Sequence, residues 1–159
     1  MKKVLLILMA MFALGWQNVN AQDEPIKIQT GNPDIKLNVT KCVASDRTVI
    51  IDMVLTNESD NDIDNIRIEG GVYGSGATAA YDDLGNTYKE NIRVKIGNQK
   101  YSEYYAISKL VSGIPIKISF MFENVSPSAQ YFALIEVHVS ANGNTFAKLK
   151  IRNVPITRE

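Results

Sequence analysis

The sequence is poor in several residue types on which particular protein classes depend. Its 159 residues include one cysteine and one histidine, so an intramolecular disulfide is excluded and a zinc site of three or four nitrogen and sulfur ligands is not expected. The 17 basic and 17 acidic side chains balance, and without a basic surplus we expect no nucleic-acid partner. The chain is nevertheless 45% hydrophobic, which predicts a folded protein rather than a disordered one. We expect no cofactor.

The N-terminus has the three regions of a secretory signal peptide. Two lysines precede an apolar stretch at residues 4–14, and the small residues Val19 and Ala21 stand at the third and first positions before the expected cleavage site. The stretch is too short to cross a bilayer, which takes about 20 apolar residues, and no second stretch of that length follows. We expect residues 1–21 to be removed and the mature protein to be periplasmic or secreted, without a transmembrane segment.

Removal of this segment changes the composition of the chain. It takes away two lysines, the only tryptophan and three of the five methionines, and leaves 138 residues with a net charge of −2. Cys42 lies too far downstream to be the first residue of a mature lipoprotein, and we expect it to be a small buried residue. We divide the rest into an extended lead-in (22–33), with a short edge strand at 26–28, and one domain (34–159) that is long enough to bury a core.

Apolar residues alternate with polar residues along most of this domain. Such alternation over 4 to 8 residues predicts half-buried strands, and the runs lie at residues 35–39, 49–55, 63–68, 92–96, 114–122, 133–139 and 147–151. Asn142-Gly143 between the last two runs predicts a hairpin. Only residues 104–111 offer a helical alternative, through the spacing of Tyr104, Ile107 and Val111. The pattern predicts an all-β antiparallel sandwich of about seven to nine strands.

Three stretches carry a family resemblance, namely residues 48–63 (TVIIDMVLTNESDNDI), 82–88 (DDLGNTY) and 110–125 (LVSGIPIKISFMFENV). Together they resemble the uncharacterised bacterial exported domains that are similar to the mycobacterial immunoprotective extracellular antigen. The resemblance spans about residues 35–155 and implies an immunoglobulin-like fold. It implies no activity and no catalytic residues, because the family offers none to transfer.

Three aspartates alternate in one predicted turn: Asp60, Asp62 and Asp64. Calcium-binding loops begin in this way, but Asn65 stands where the loop requires glycine and Gly71 where it requires glutamate. A solvated turn, in which the side chains bond their own backbone, is therefore preferred. The segment 82–86 (DDLGN) is interpreted in the same way, with Gly85 supplying a positive φ.

Tyrosines are the most suggestive contact residues, and three of the seven lie close together at Tyr101, Tyr104 and Tyr105. Their rigid, amphipathic rings could form a contact patch for a protein or a sugar. The alternative is that they cover one end of the sandwich.

The only histidine, His138, is predicted to share the outward face of its strand with Glu136. A general base beside a carboxylate would suit a small hydrolase, but no partner motif accompanies the pair, and an exposed strand residue is preferred. The sequence thus predicts an exported, noncatalytic cell-envelope protein, a protein-interaction or structural domain whose partner is another envelope or extracellular protein. The alternatives are a glycan- or calcium-binding module and, least supported, the hydrolase.

Overall fold

The structure is a computed structural model that describes residues 24–71, 76–142 and 144–158. The predicted signal peptide, residues 1–21, lies outside the described residues. The described residues contain no helix that is long and apolar enough to cross a membrane. They form twelve strands: β1 (Lys27–Gln29), β2 (Ile35–Ser45), β3 (Thr48–Asn57), β4 (Ile63–Glu69), β5 (Ala79–Asp82), β6 (Thr87–Tyr88), β7 (Ile92–Ile96), β8 (Tyr105–Leu110), β9 (Ile116–Phe122), β10 (Tyr131–Ala141), β11 (Asn144–Pro155) and β12 (Thr157–Arg158).

The strands form two sheets that pack face to face. The first sheet has the order β1-β11-β10-β4-β8, and β5 pairs with β10 beyond the end of β4 and carries β6. The second sheet has the order β12-β2-β3-β9-β7. Every pairing is antiparallel except that of β12, which runs parallel to the end of β2. The predicted antiparallel sandwich is confirmed.

The strand order is that of an immunoglobulin-like domain. In the second sheet β2-β3-β9-β7 corresponds to the A-B-E-D order, and in the first sheet β11-β10 with the interrupted strand β4/β5 corresponds to G-F-C. The described strands outnumber the predicted seven to nine because three of them have only two or three residues (β1, β6 and β12) and because β4 and β5 divide one strand position.

The alternation seen in the sequence is the packing pattern of the core. Ile135, Val137 and Val139 of β10 are buried, whereas Glu136 and His138 between them face outward. The two sheets meet through aromatic rings, with the Phe122 and Phe132 centroids 5.2 Å apart. Burial of apolar surface of this kind is the main favourable term in folding.

The predicted Asn-Gly hairpin is confirmed. β10 and β11 pair with Ser140 opposite Thr145, and Asn142 in the connection has a φ of 50°. That conformation is the one a two-residue hairpin turn requires, and asparagine adopts it more readily than most residues.

The helical alternative for residues 104–111 is wrong. Tyr105–Leu110 is a strand, β8, that pairs antiparallel with β4. Ala106 and Leu110 are buried while Tyr105 and Ile107 are exposed. Pairing with β4 therefore overrides the three- and four-residue spacing that suggested a helix.

Candidate functional site

The acidic turn before β4 binds a lysine of its own chain. Nζ of Lys109 lies 2.9 Å from Oδ2 of Asp62 and 3.4 Å from Oδ1 of Asp64. Asp62 also accepts the backbone N–H of Ser112 at 3.0 Å, and this bond, followed by Lys109, lowers the pKa of Asp62. The third predicted ligand, Asp60, is exposed to solvent. Lys109 thus lies within ion-pair distance of two of the three aspartates and offsets part of the negative charge of the turn.

No metal-binding cluster appears elsewhere in the described part of the chain. Within residues 24–71, 76–142 and 144–158, no three histidine, cysteine, aspartate or glutamate side chains lie close enough together to hold an ion.

The structure separates the three clustered tyrosines. The ring of Tyr101 lies 4.7 Å from Nζ of Lys95, which faces outward from β7 in the second sheet. Burial raises the pKa of Tyr101, as does the nearby Asp52 carboxylate. Tyr105 instead lies on β8 of the first sheet, opposite Glu69. Tyr101 therefore covers the polar outer face of the second sheet and does not extend the surface around Tyr105.

The remaining tyrosines lie at an edge of the first sheet together with an exposed isoleucine. Tyr104, Tyr105 and Ile107 are 56%, 39% and 42% exposed, and we call them the β8 edge. β8 is the outermost strand on its side of the first sheet. Large apolar side chains on an outer strand are a feature that soluble proteins usually avoid.

Charged neighbours of the β8 edge are paired with one another. The Arg67 guanidinium lies 3.8 Å from the centre of the Tyr105 ring and donates to Glu69 at 3.1 Å. Lys109 at the other end of β8 is held by the acidic turn described above. The β8 edge is therefore aromatic and apolar, with little net charge around it.

Two polar side chains already satisfy backbone groups of this edge. Oγ of Ser102 accepts the backbone N–H groups of Tyr104 and Tyr105 at 3.2 and 3.3 Å. Nε2 of Gln99 donates to the carbonyl oxygen of Ile107 at 2.9 Å. Some of the backbone groups that could pair with another strand thus already form hydrogen bonds to side chains, which an incoming strand could replace.

Two adjacent glycines permit close approaches of the chain at the end of β4. A Cβ atom on Gly70 would lie 2.3 Å from the carbonyl oxygen of Glu103, and one on Gly71 would lie 2.7 Å from Cβ of Ile92. The backbone N–H of Gly70 also donates to the carbonyl of Tyr104 at 2.7 Å. Only glycine permits these approaches: Gly70 allows the start of β8 to lie against the end of β4, and Gly71 allows the chain to lie against β7.

The second acidic segment is the predicted tight turn. Gly85 has a φ of 84°, and buried Asp82 accepts hydrogen bonds from the backbone N–H groups of Leu84 and Asn86. Asp83 accepts the N–H of Gln130 at 3.0 Å. The carboxylates of this turn are used to fasten loops to one another, which confirms the turn interpretation.

His138 and Glu136 lie on the outward face of β10, as their alternation predicts, and line a shallow cavity of about 310 Å³. The carboxylate of Glu136 lies 3.4 Å from Nζ of Lys150 on β11. Directly across from His138 on that strand stands another lysine, Lys148. The histidine therefore has cationic neighbours, and the carboxylate that the hydrolase hypothesis would give it is engaged by a lysine.

Cys42 is buried in β2. Burial raises the pKa of its thiol to about 12, against a smaller opposing effect of Arg158. A thiol of this kind is a poor nucleophile at neutral pH, in agreement with the small buried residue that the sequence predicts.

No family model, curated protein or solved structure gives a significant match to this chain. The resemblance to exported immunoglobulin-like domains thus stays a prediction.

Two parts of these sites are not predicted by the sequence pattern. Ile107 belongs to the helical alternative, so the pattern does not predict its exposure on a strand. The lysines around His138 alternate along β11 at positions 148 and 150, and this alternation was visible in the sequence. Their convergence on one cavity depends on β5, which the pattern did not predict because Ala79–Asp82 has no apolar alternation.

Proposed function

We propose that the protein is an exported, noncatalytic module of the bacterial cell envelope that binds another envelope or extracellular protein through the β8 edge. The observation that carries the proposal is the exposure of Tyr105 and Ile107 on the outermost strand of the first sheet, and of Tyr104 immediately before that strand. Extended segments commonly bind such edges by adding a strand, with backbone bonds giving affinity and side-chain pockets giving selectivity.

The arrangement of charge supports a partner with an apolar contact surface. Arg67 is stacked on Tyr105 and bonded to Glu69, so it holds the ring in place. Aromatic and arginine side chains are enriched in the centres of protein interfaces, whereas unpaired charges are depleted there. A partner strand that alternates apolar residues would match this surface better than a charged one.

The side-chain bonds of Gln99 and Ser102 support the same mode of binding. They satisfy the carbonyl of Ile107 and the N–H of Tyr105 in the free protein, and a polar surface side chain can exchange such a bond for one to water. An incoming strand could replace both without leaving buried groups unpaired.

Site-specific crosslinking tests the proposal. A photoreactive amino acid at position 107 is expected to form a discrete adduct in the cell that exports the protein, and Tyr105→Asp is expected to reduce it. Position 84 is the matched control, because Leu84 is also exposed, at 54%, but lies in the turn between β5 and β6. Equal labelling from both positions, or none from position 107, would contradict binding through the β8 edge.

A further inference from the structure

The cavity beside His138 lies on the outward face of the first sheet, away from β8. It has a volume of about 310 Å³ and lies between β5, β10 and β11. Ala79 lies directly opposite Glu136, and Gly76 approaches His138 so closely that a Cβ atom there would lie 3.1 Å from its Nδ1. Ala77 and Ala79 are the small residues that line the cavity, and longer side chains, including that of Tyr81, surround them.

The walls of this cavity carry more positive than negative charge. Three lysines line it (Lys89, Lys148 and Lys150), against the single carboxylate of Glu136. Only Lys150 lies within ion-pair distance of that carboxylate, at 3.4 Å. Five of the ten lysines in the described part of the chain, Lys89 and Lys148 among them, make no ion pair.

This positive charge is a local property. The mature chain has a net charge of −2, so the lysines around the cavity are not part of a generally basic surface. Lys148 and Lys150 project at alternate positions of β11, and Arg152 continues the same row opposite Leu134. Like charges placed side by side repel one another, and a bound anion relieves that repulsion.

We propose that this cavity binds a small organic anion of about monosaccharide size through a carboxylate or phosphate group. Lys148 and Lys89 provide the charge that neutralises the acid group, and the His138 imidazole lies beside Lys148 as a further hydrogen-bonding group. The half-buried Tyr81 ring supplies apolar contact area for the body of the ligand. The volume is at the lower end of the range typical of ligand pockets.

Titration of the ¹⁵N-labelled protein with three compounds tests the proposal. Glucuronate and glucose 6-phosphate present the two acid groups on a sugar body, and glucose is the uncharged control for both. Saturable shifts of amide signals in residues 77–81, 136–138 and 148–150 with either acid, but not with glucose, are expected. The acid that binds more tightly identifies the class of ligand. Shifts with glucose equal to those with glucuronate, or no localised shifts with either acid, would overturn the proposal.

Two alanine variants sharpen the result. Lys148→Ala is expected to weaken binding by about tenfold, because it removes one charge-assisted bond. Lys100 is an exposed lysine in the connection between β7 and β8, and Lys100→Ala is expected to leave binding unchanged. Equal effects of the two variants would indicate general attraction of anions and would refute a site. Since neither lysine belongs to the β8 edge, crosslinking at position 107 should persist in Lys148→Ala, so this proposal and the proposed function can fail separately.

Discussion

The phenol oxygen of Tyr88 lies 2.7 Å from Oδ2 of Asp82 and at the same time accepts the backbone N–H of Ser126 at 3.1 Å. One hydroxyl group therefore joins the turn after β5 to the loop between β9 and β10. Burial raises the pKa of this phenol, and the hydrogen bond to the Asp82 carboxylate raises it further. The hydroxyl remains a donor to the carboxylate throughout the neutral range.

Removing this hydroxyl group should destabilise the fold. Tyr88→Phe leaves the Ser126 N–H without its acceptor and takes one bond from the buried carboxylate, which predicts a loss of about 1–3 kcal/mol in the free energy of unfolding. Urea denaturation followed by circular dichroism measures the change. Tyr81→Phe is the control, because the Tyr81 hydroxyl makes no hydrogen bond to the described residues, and it should change stability little. Equal losses in both variants would refute the role of the Tyr88 bond.

Asp82 should also make stability depend on pH. Its burial acts to raise the pKa, but the bonds from Tyr88, Asn86 and Leu84 outweigh that effect and the pKa is lowered. A carboxyl group whose pKa is lower in the folded state stabilises the protein above its unfolded value, near pH 4, and loses that contribution as the pH falls through the folded value. Stability should therefore decrease below about pH 4.

Asp82→Asn isolates this contribution, because the amide does not titrate. The variant should be less stable than the wild type at pH 6, and the difference should narrow towards pH 2.5, as measured by urea denaturation at each pH. A difference that is constant across this range would show that Asp82 does not contribute to the acid dependence.

The sequence predicted the core strands well because their information is local. The strand Ile92–Ile96 has the bounds that its alternation predicts, because its buried residues face the other sheet. β8 was ambiguous because its six residues fit a helical or a strand period, and pairing with β4 decides between them. The two candidate sites combine residues from distant segments, such as Tyr81 with Lys148. The pattern of a single sequence does not show which distant segments lie close together in space.

The close backbone approach at Gly70 predicts a severe effect of adding one methyl group. The new Cβ of Gly70→Ala would lie 2.3 Å from a backbone oxygen that no side-chain rotation can move, so β4 and the start of β8 must separate. We expect a loss of about 1–3 kcal/mol, the usual cost of overpacking. Thermal denaturation checks it.

Gly113→Ala is the comparison for Gly70→Ala. Gly113 has a φ of 69°, and no atom lies within 4 Å of its added Cβ. Its substitution should show only the strain of a left-handed backbone, about 1–2 kcal/mol, without loosening β8. Hydrogen exchange of the β8 amides distinguishes the two, since only Gly70→Ala should accelerate it. Unchanged exchange in Gly70→Ala would contradict the close approach.

Cys42 provides a test of how tightly the β2 side of the sandwich is closed. Its thiol is 8% exposed and its pKa is raised to about 12, chiefly by burial. The thiolate is the form of cysteine that attacks thiol reagents, so at pH 8 the folded protein should react very slowly and the protein unfolded in guanidinium should react fully. Arg158→Ala removes the one positive charge that lowers the thiol pKa, so the folded variant should react no faster with the reagent than the wild type. A faster reaction would show that β12, which contains Arg158, has detached from β2. Rapid labelling of the folded wild type would show that the edge of β2 opens, because only exposure to solvent can bring the thiol pKa back to its ordinary range.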